Sequence, residues 1–175
     1  MNNWLLLIII FLLGNYLLEQ ILSYLNIKAL VTKVPEEFQE IFDAEKYRKS
    51  QEYTKATSKF ELVQSTVSIL ILLIFLLAGG FNSVDIFIRS FNQGDIVTGI
   101  LYIACLILLS SMLSIPFNFY ATFVIEERFG FNKTTKKTFF SDIIKGIILS
   151  ILIGAPILYL ILWFFETTGG LAWLY

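Results

Sequence analysis

The sequence predicts an all-α, polytopic integral membrane protein with about four transmembrane helices and a long cytoplasmic extension of the second. Of its 175 residues, 57% are hydrophobic and only 15% are charged, and the charges are absent from four long runs. About 20 apolar residues make a helix long enough to cross a bilayer, whereas a buried helix of a soluble protein rarely exceeds about 15. The uncharged runs are 18, 23, 30 and 20 residues long: Met1–Leu18, Leu62–Val84, Ile96–Ile125 and Gly146–Phe165.

The first run is interpreted as a retained span rather than a cleaved signal peptide. Residues 1–4 carry no lysine or arginine, and no small-x-small cleavage site follows. The predicted spans are 4–25, 61–81, 97–119 and 143–165. The cytoplasmic segments are 26–60 and 120–142, and residues 82–95 form a short connection. Residues 1–175 are predicted to be a single transmembrane domain. The apolar tail 171–175 resembles the start of a further span cut short, with a short interfacial anchor as the alternative.

The second span is predicted to begin as a helix well before the membrane, near Asp43. Apolar residues recur there every three or four positions and continue without a break into the uncharged run: Tyr53, Ala56, Phe60, Val63 and Val67. A helix from Asp43 to Phe81 is about 58 Å long at 1.5 Å per residue, nearly twice the hydrocarbon thickness. Pro116 predicts a kink in the third helix near its cytoplasmic end.

The positive charges predict how the chain threads the bilayer. Twelve of the thirteen lysines and arginines lie in two segments, and only Arg89 lies in the connection between spans two and three. By the positive-inside rule, both basic segments are cytoplasmic and both termini are outside. A lipid-binding polybasic patch is the alternative, but interspersed acids favour the topological reading. The twelve are Lys28, Lys33, Lys46, Arg48, Lys49, Lys55, Lys59, Arg128, Lys133, Lys136, Lys137 and Lys145.

Polar residues form stripes on three of the spans, in what the threading makes their cytoplasmic halves. A carboxylate such as Glu19 inside a span costs several kcal/mol unless it meets water or a partner. In one interpretation, the serines and asparagines hold helices together and Glu19 reaches the headgroups. The other reading is a water-filled cavity open to the cytoplasm. Its predicted lining residues are Asn15, Glu19, Ser23, Ser65, Ser114 and Asn118.

The sequence contains no recognisable catalytic or metal-binding residues. It has no histidine, and its one cysteine, Cys105, lies in the third apolar run, where it is expected to be a small core hydrophobe. A zinc site would need carboxylates alone, which is unusual. The net charge of −1 gives no indication of nucleic-acid binding. We therefore predict no cofactor, catalytic residue or metal ligand in this chain.

One charged stretch after the third span is unlike a generic membrane loop. Residues 126–135 read Glu-Glu-Arg-Phe-Gly-Phe-Asn-Lys-Thr-Thr, with aromatic and charged groups alternating about Gly130. This motif resembles the signature of the type I CAAX prenyl protease family, which are integral-membrane zinc metalloendopeptidases. Further likenesses are Tyr53 and Phe60 before the second span, Asp142 and Lys145 after the motif, and a Gly-Gly-x-x-Trp element at Gly169, Gly170 and Trp173.

The resemblance implies a ring of seven spans around a water-filled chamber, with the zinc on a His-Glu-x-x-His helix after the fifth span. This chain would be the N-terminal membrane domain, non-catalytic by itself, and the zinc would lie in the part that follows it. Its partners would be the lipid bilayer, the catalytic region of the same protein, and a prenylated or membrane-protein peptide substrate. The motif would dock beneath the catalytic helices through Glu126, Glu127, Arg128, Phe129, Gly130, Phe131 and Asn132.

A second reading comes from a different functional class. The chain could be a self-contained four-span scaffold or transporter subunit, in which Glu19 is functional. The two readings differ in whether a fifth span and a His-Glu-x-x-His helix follow Tyr175. Both the bacterial inner membrane and the endoplasmic reticulum place basic loops in the cytosol, so the threading is compatible with either.

Overall fold

The computed structural model describes residues 3–36, 40–41 and 43–169, and their regular secondary structure is entirely helical. The predicted all-α class is confirmed. Four helical stretches are long and apolar enough to cross a membrane: Asn3–Ala29, Ala44–Leu77, Asp95–Phe129 and Lys136–Thr168. The elements are α1 (Asn3–Ala29), α2 (Ala44–Leu77), α3 (Gly80–Arg89), α4 (Asp95–Tyr120), a π-helical segment (Ala121–Glu126), α5 (Glu127–Phe129) and α6 (Lys136–Thr168).

Helix α2 begins where the sequence predicts, and Asp43 is its N-cap. The Asp43 carboxylate accepts hydrogen bonds from the backbone N–H groups of Glu45 and Lys46, at 2.9 and 3.0 Å. The bond from the Lys46 amide is the largest cause of the lowered pKa of Asp43. The helix ends at Leu77, four residues before the predicted end, because the chain turns at Gly79, whose φ of 73° is left-handed.

The predicted connection 82–95 contains a helix that the sequence analysis missed. Helix α3 follows α2 after two residues and ends at Arg89. Phe81, Val84 and Ile88 recur at helical spacing and turn inward, and Ile88 is only 5% exposed. The short length of this pattern, next to a longer apolar run, explains why it was assigned to the span and the connection instead.

The third helix also continues further than predicted. Instead of ending near Phe119, it passes through Pro116, widens into the π-helical segment, and remains helical to Phe129. The first four residues of the charged motif are therefore the end of a helix rather than a loop. The predicted kink at Pro116 stays a prediction.

The chain divides into two compact units. The first comprises Met1–Ala78 and Pro116–Asn132, and the second comprises Gly79–Ile115 and Lys133–Tyr175. In the first unit α1 packs on α2, and the π-helical segment also packs on α2. The side of α1 that is half-buried recurs every three or four residues: Leu5, Ile9, Leu12, Tyr16, Gln20, Ser23 and Ile27.

Two polar contacts join α1 to α2. The amide of Gln20 donates to the hydroxyl of Ser65 at 2.7 Å, and the hydroxyls of Tyr16 and Thr66 lie 2.8 Å apart. In the second unit, the hydroxyl of Tyr102 on α4 lies 3.5 Å from the backbone carbonyl of Phe81 on α3. A Cβ on Gly99 would come within 3.1 Å of Leu162, so glycine permits the close approach of α4 and α6.

Very little of the described chain is buried. The buried apolar residues are Val34, Ile88, Ile125 and Phe129, while large apolar side chains along all four candidate spans remain exposed. A soluble protein rarely exposes contiguous apolar surface on this scale. The helices therefore need lipid, or further helices, around them.

We expect the Gln20–Ser65 bond to contribute measurably to the α1–α2 contact. A double-mutant cycle of Gln20→Ala and Ser65→Ala, in detergent-solubilised protein unfolded by a denaturing detergent, should give a coupling free energy of roughly 0.5–1 kcal/mol. Asn15→Ala combined with Ser65→Ala is the control, because Asn15 bonds within α1 to Glu19. Equal coupling in both cycles would show that the Gln20–Ser65 bond contributes nothing specific.

Candidate functional site

The motif is a helix C-terminus closed by a left-handed glycine. The N–H of Gly130 donates to the carbonyl of Glu127 at 3.0 Å, and that of Phe131 donates to the carbonyl of Glu126 at 2.9 Å. These are the two bonds of a Schellman turn. Gly130 has a φ of 68°, which glycine adopts without steric cost. The motif glycine is thus required by the geometry of the turn.

An aromatic cluster fixes this helix end to α2. The ring of Tyr53 lies 5.7 Å from that of Phe129 and 4.9 Å from that of Phe131, both edge-on. Such pairs contribute about 0.5–1.5 kcal/mol beyond the area they bury. Phe129 is only 9% exposed. We call Tyr53, Phe129 and Phe131 the aromatic clamp.

A second aromatic contact lies two turns along α2. Phe60 stacks on Tyr120 at 4.9 Å and lies 6.1 Å from Phe117. Tyr53 and Phe60 are seven residues apart, so they occupy the same side of α2. Tyr53 and Phe60, the two α2 residues that accompany the motif in the family resemblance, therefore both contact the third helix.

The charged groups of the motif lie at its surface. The side-chain amide of Asn132 donates to the carboxylate of Glu127 at 2.9 Å. The guanidinium carbon of Arg128 lies 5.7 Å from the centre of the Phe129 ring. Lys49 of α2 places its ammonium 5.5 Å from the centre of the Phe131 ring. Both cations are within range of a cation–π attraction, and Glu127 and Arg128 are exposed.

The π-helical segment allows both aromatic contacts to reach α2. Tyr120 and Phe129 are nine residues apart and would lie about 180° apart on a straight α-helix. Both nevertheless contact α2. Residues in a π-helix bond five positions along, so each residue turns the helix by a smaller angle. The π-helical segment thereby changes the direction in which the side chains of the motif point, relative to those of the preceding span.

Thr57 is a polar residue of α2 that the sequence analysis missed. It lies between Tyr53 and Phe60, and its hydroxyl oxygen is buried without a hydrogen-bond partner among the described residues. A hydroxyl left in this condition costs about 1–3 kcal/mol. No sequence signal marks it, because a threonine within a helix ordinarily bonds to the carbonyl one turn earlier.

The predicted cavity-lining residues are placed in different environments. Asn15 donates to the carboxylate of Glu19 at 2.9 Å, and both are exposed on α1. Ser65 meets α1 through Gln20, not through Asn15, Glu19 or the half-buried Ser23. Of these four residues, Ser65 is the one with a side-chain hydrogen bond to another span.

The last two predicted lining residues belong to the third span. Ser114 is half-buried and donates to the carbonyl of Ser110 at 3.0 Å, and Asn118 is exposed. Further along the chain, Lys145 and Asp142 form an exposed ion pair at 3.3 Å. Gly170 and Trp173 of the Gly-Gly-x-x-Trp element lie outside the described residues. Cavity lining stays a prediction for all six residues.

The described residues do not fit a zinc ion. They contain no group of three or more histidine, cysteine, aspartate or glutamate side chains arranged to hold a metal. Cys105 is half-buried and free, and the sequence has no histidine. Zinc sites in proteins are built mainly from histidine and cysteine. No chemical step is therefore assigned to a metal held by these residues.

Comparison with known proteins gives consistent matches along the chain. The chain is 29% identical to CAAX prenyl protease 1 of Saccharomyces cerevisiae over 93% of its own length and 38% of the relative's. It is 31% identical to a probable CAAX prenyl protease 1 of Schizosaccharomyces pombe, over 86% and 36%. The crystal structure of S. mikatae Ste24p superposes with a TM-score of 0.86 at 29% identity, covering 95% of this chain and 40% of the other.

The chain spans about two fifths of the length of these relatives. Residues 23–175 match the family model described as the CAAX prenyl protease N-terminal domain with five membrane helices. That match covers far more than half of the sequence and includes the motif and all of α2, α4 and α6. The chain therefore belongs to the family of CAAX prenyl protease N-terminal membrane domains.

Proposed function

We propose that this chain is the non-catalytic membrane domain of a CAAX prenyl protease-like zinc metalloendopeptidase, and that residues 126–132 are a docking surface for the catalytic region. The family membership supports the first part. The zinc and its ligands would then belong to the rest of the protein. The whole protein would cleave a prenylated or other membrane-associated peptide.

The observation that carries the docking proposal is the closed helix end held by the aromatic clamp. A surface that is already rigid loses little conformational entropy when it binds a partner. Here the backbone is fixed by the Gly130 turn, and Phe129 is packed inward against Tyr53. Glu127 and Arg128 remain exposed, and Phe131 is 45% exposed.

This arrangement gives the two phenylalanines of the motif, Phe129 and Phe131, different roles. From the family resemblance, both were expected to dock against the catalytic region. With Phe129 buried within the chain, we assign it to holding the motif on α2. We assign contact with the catalytic region to Phe131, Glu127 and Arg128. They present one half-exposed ring beside two opposite charges. Arginines and aromatic rings are the side chains most often responsible for binding energy at interfaces.

The polar residues of the spans are proposed to line part of a hydrated chamber. The exposed Asn15–Glu19 pair lies in a largely apolar helix, where a carboxylate facing lipid would be costly. A water-filled space beside α1 would remove that cost. The same role is proposed for Ser23, Ser65, Ser114 and Asn118. The scaffold or transporter alternative gains no support from the comparisons.

The threading is proposed from the charge distribution. Both termini would lie outside, and the two basic segments, including the cytoplasmic extension of α2 and the motif, would lie in the cytoplasm. The motif and the N-terminal half of α2 already contact each other in the structure. Their contact supports placing both on the same side of the bilayer.

Replacing Gly130 by alanine in the full-length protein should destabilise the docking surface. The left-handed φ costs a non-glycine residue about 1 kcal/mol or more, so the yield of folded protein and its proteolytic activity should both fall. Gly14→Ala is the matched control, because Gly14 lies inside α1 with open space around it. Equal behaviour of the two variants would show that the turn is not required.

Arg128→Ala and Phe129→Ala should fail in different ways. Removing the exposed Arg128 should lower activity about tenfold with little loss of folded protein, the effect of losing roughly 1.4 kcal/mol of contact with a partner. Removing the buried Phe129 should cost about 3 kcal/mol of stability and reduce the folded yield. Peptide cleavage and the yield of monodisperse protein measure the two effects. Wild-type values for both variants would rule out docking.

The threading can be tested with single cysteines in a cysteine-free background that includes Cys105→Ser. In sealed membrane vesicles of known orientation, Lys55→Cys and Lys133→Cys should react with a membrane-impermeant maleimide added from the cytoplasmic side. Gln93→Cys, in the connection after α3, should react only from the opposite side. Reaction of positions 55 and 133 from opposite sides of the membrane would refute the proposed threading.

A further inference from the structure

Helix α3 is attached at both ends to membrane-spanning segments. It begins three residues after Leu77, the last residue of α2, and a short loop joins it to Asp95, the first residue of α4. Ile88 of α3 is 5% exposed, and the hydroxyl of Tyr102 lies 3.5 Å from the carbonyl of Phe81. Helix α3 therefore lies against the beginning of α4.

The contact with Tyr102 sets the depth of α3 along α4. Tyr102 is two turns into that helix, and a helical side chain leans toward the N-terminus. The carbonyl of Phe81 thus lies about 5–10 Å along α4 from Asp95. The uncharged run of the third span begins at Ile96, so this distance is measured inward from the edge of the apolar layer. It matches the depth of about 5–10 Å at which interfacial helices lie.

The length of α2 gives a second, independent argument. Its uncharged part runs from Leu62 to Leu77 and is about 24 Å long. The hydrocarbon layer is about 30 Å thick, and any tilt of the helix widens the difference. The chain therefore has not left the apolar layer when α3 begins, and the uncharged run itself continues to Val84.

The exposed side of α3 carries large apolar groups. Ile86, Phe87 and Phe91 are 62%, 58% and 50% exposed, and the two phenylalanine rings lie 5.2 Å apart. We call these three residues the α3 apolar patch. A connection between two spans that lay in water would be expected to carry polar side chains at these positions.

Most polar side chains of α3 are bonded within the helix or at its ends, and the remaining one, Asn82, is exposed. Arg89 bonds both carboxylate oxygens of Asp85 at 2.9 and 3.1 Å. The hydroxyl of Ser83 donates to the carbonyl of Gly79, and that of Ser90 to the carbonyl of Phe87. Groups paired in this way tolerate the low polarity of the boundary between headgroups and acyl chains.

We propose that α3 is an interfacial helix whose apolar patch contacts phospholipid at the boundary between headgroups and acyl chains. Three observations favour lipid over water or a protein partner. They are the depth of α3 along α4, the short uncharged part of α2, and the pairing of polar groups within α3. The second crossing is then completed by α3 rather than by α2 alone. This inference concerns the connection between spans and is independent of the docking role of residues 126–132.

Fluorescence quenching distinguishes the occupants of the patch. Single-cysteine variants Phe87→Cys and Asn82→Cys of the full-length protein, otherwise free of cysteine, are labelled with an environment-sensitive fluorophore and reconstituted into phosphatidylcholine vesicles. Both positions are exposed on α3, but on different sides of it. Phe91→Cys is a second reporter within the patch, should the change at Phe87 prevent folding.

The label at position 87 should be quenched several-fold more by phosphatidylcholine carrying a nitroxide near the top of its acyl chain than by aqueous iodide. The label at position 82 should show the reverse preference. Strong iodide quenching at both positions would place α3 in water and overturn the proposal. Protection of position 87 from both quenchers would show that another protein segment covers the patch, and would overturn it equally.

Discussion

The packing of Tyr53 against Phe129 and Phe131 is the contact on which the conformation of the motif depends. The end of a long helix ordinarily frays, because its last carbonyls have no partner within the helix. Here the Gly130 turn satisfies two of them, and the clamp attaches the whole end to α2. Removing either part leaves the other without support, since the turn directs Phe131 back to Tyr53.

The clamp also gives a reason for the long extension of α2. If α2 began only at the membrane surface, the end of the third helix would have no helix to pack against. Asp43 starts α2 more than two turns before Tyr53, so Tyr53 is held well inside a regular helix. The extension is thus a rigid support for the motif. Elsewhere in the described chain few side chains are buried, and the surrounding lipid must complete the fold.

The sequence predicted the helical class, the four spans and the start of α2, because uncharged runs and apolar residues at helical spacing are strong local signals. It did not show which polar residues bond to a neighbouring helix. Gln20 and Tyr16 hydrogen-bond to α2, while Asn15 and Glu19, one position away, bond to each other. A helical wheel shows which residues share a side but not which side meets a neighbour. The sequence has no histidine, and nothing in it marks Thr57. The function of the site could therefore be predicted only from the motif at residues 126–135.

The motif itself shows the same limit. Its composition indicated a docked segment, but not that Phe129 would point into the chain and Phe131 partly outward. That difference follows from the left-handed turn at Gly130, which reverses the chain between them. Helix α3 was missed for a related reason, since its first two inward residues, Phe81 and Val84, belong to a run already long enough to be interpreted as part of a span.

The π-helical segment implies that the number of residues between Tyr120 and Glu127 matters more than their identity. Exchanging one small or branched apolar residue for another in Ala121–Glu126 leaves the ring size of the backbone bonds unchanged. Deleting a single residue would let an ordinary α-helix form, and every later side chain would then face a new direction. Among related proteins, this stretch should therefore keep its length even where its apolar residues are exchanged for one another.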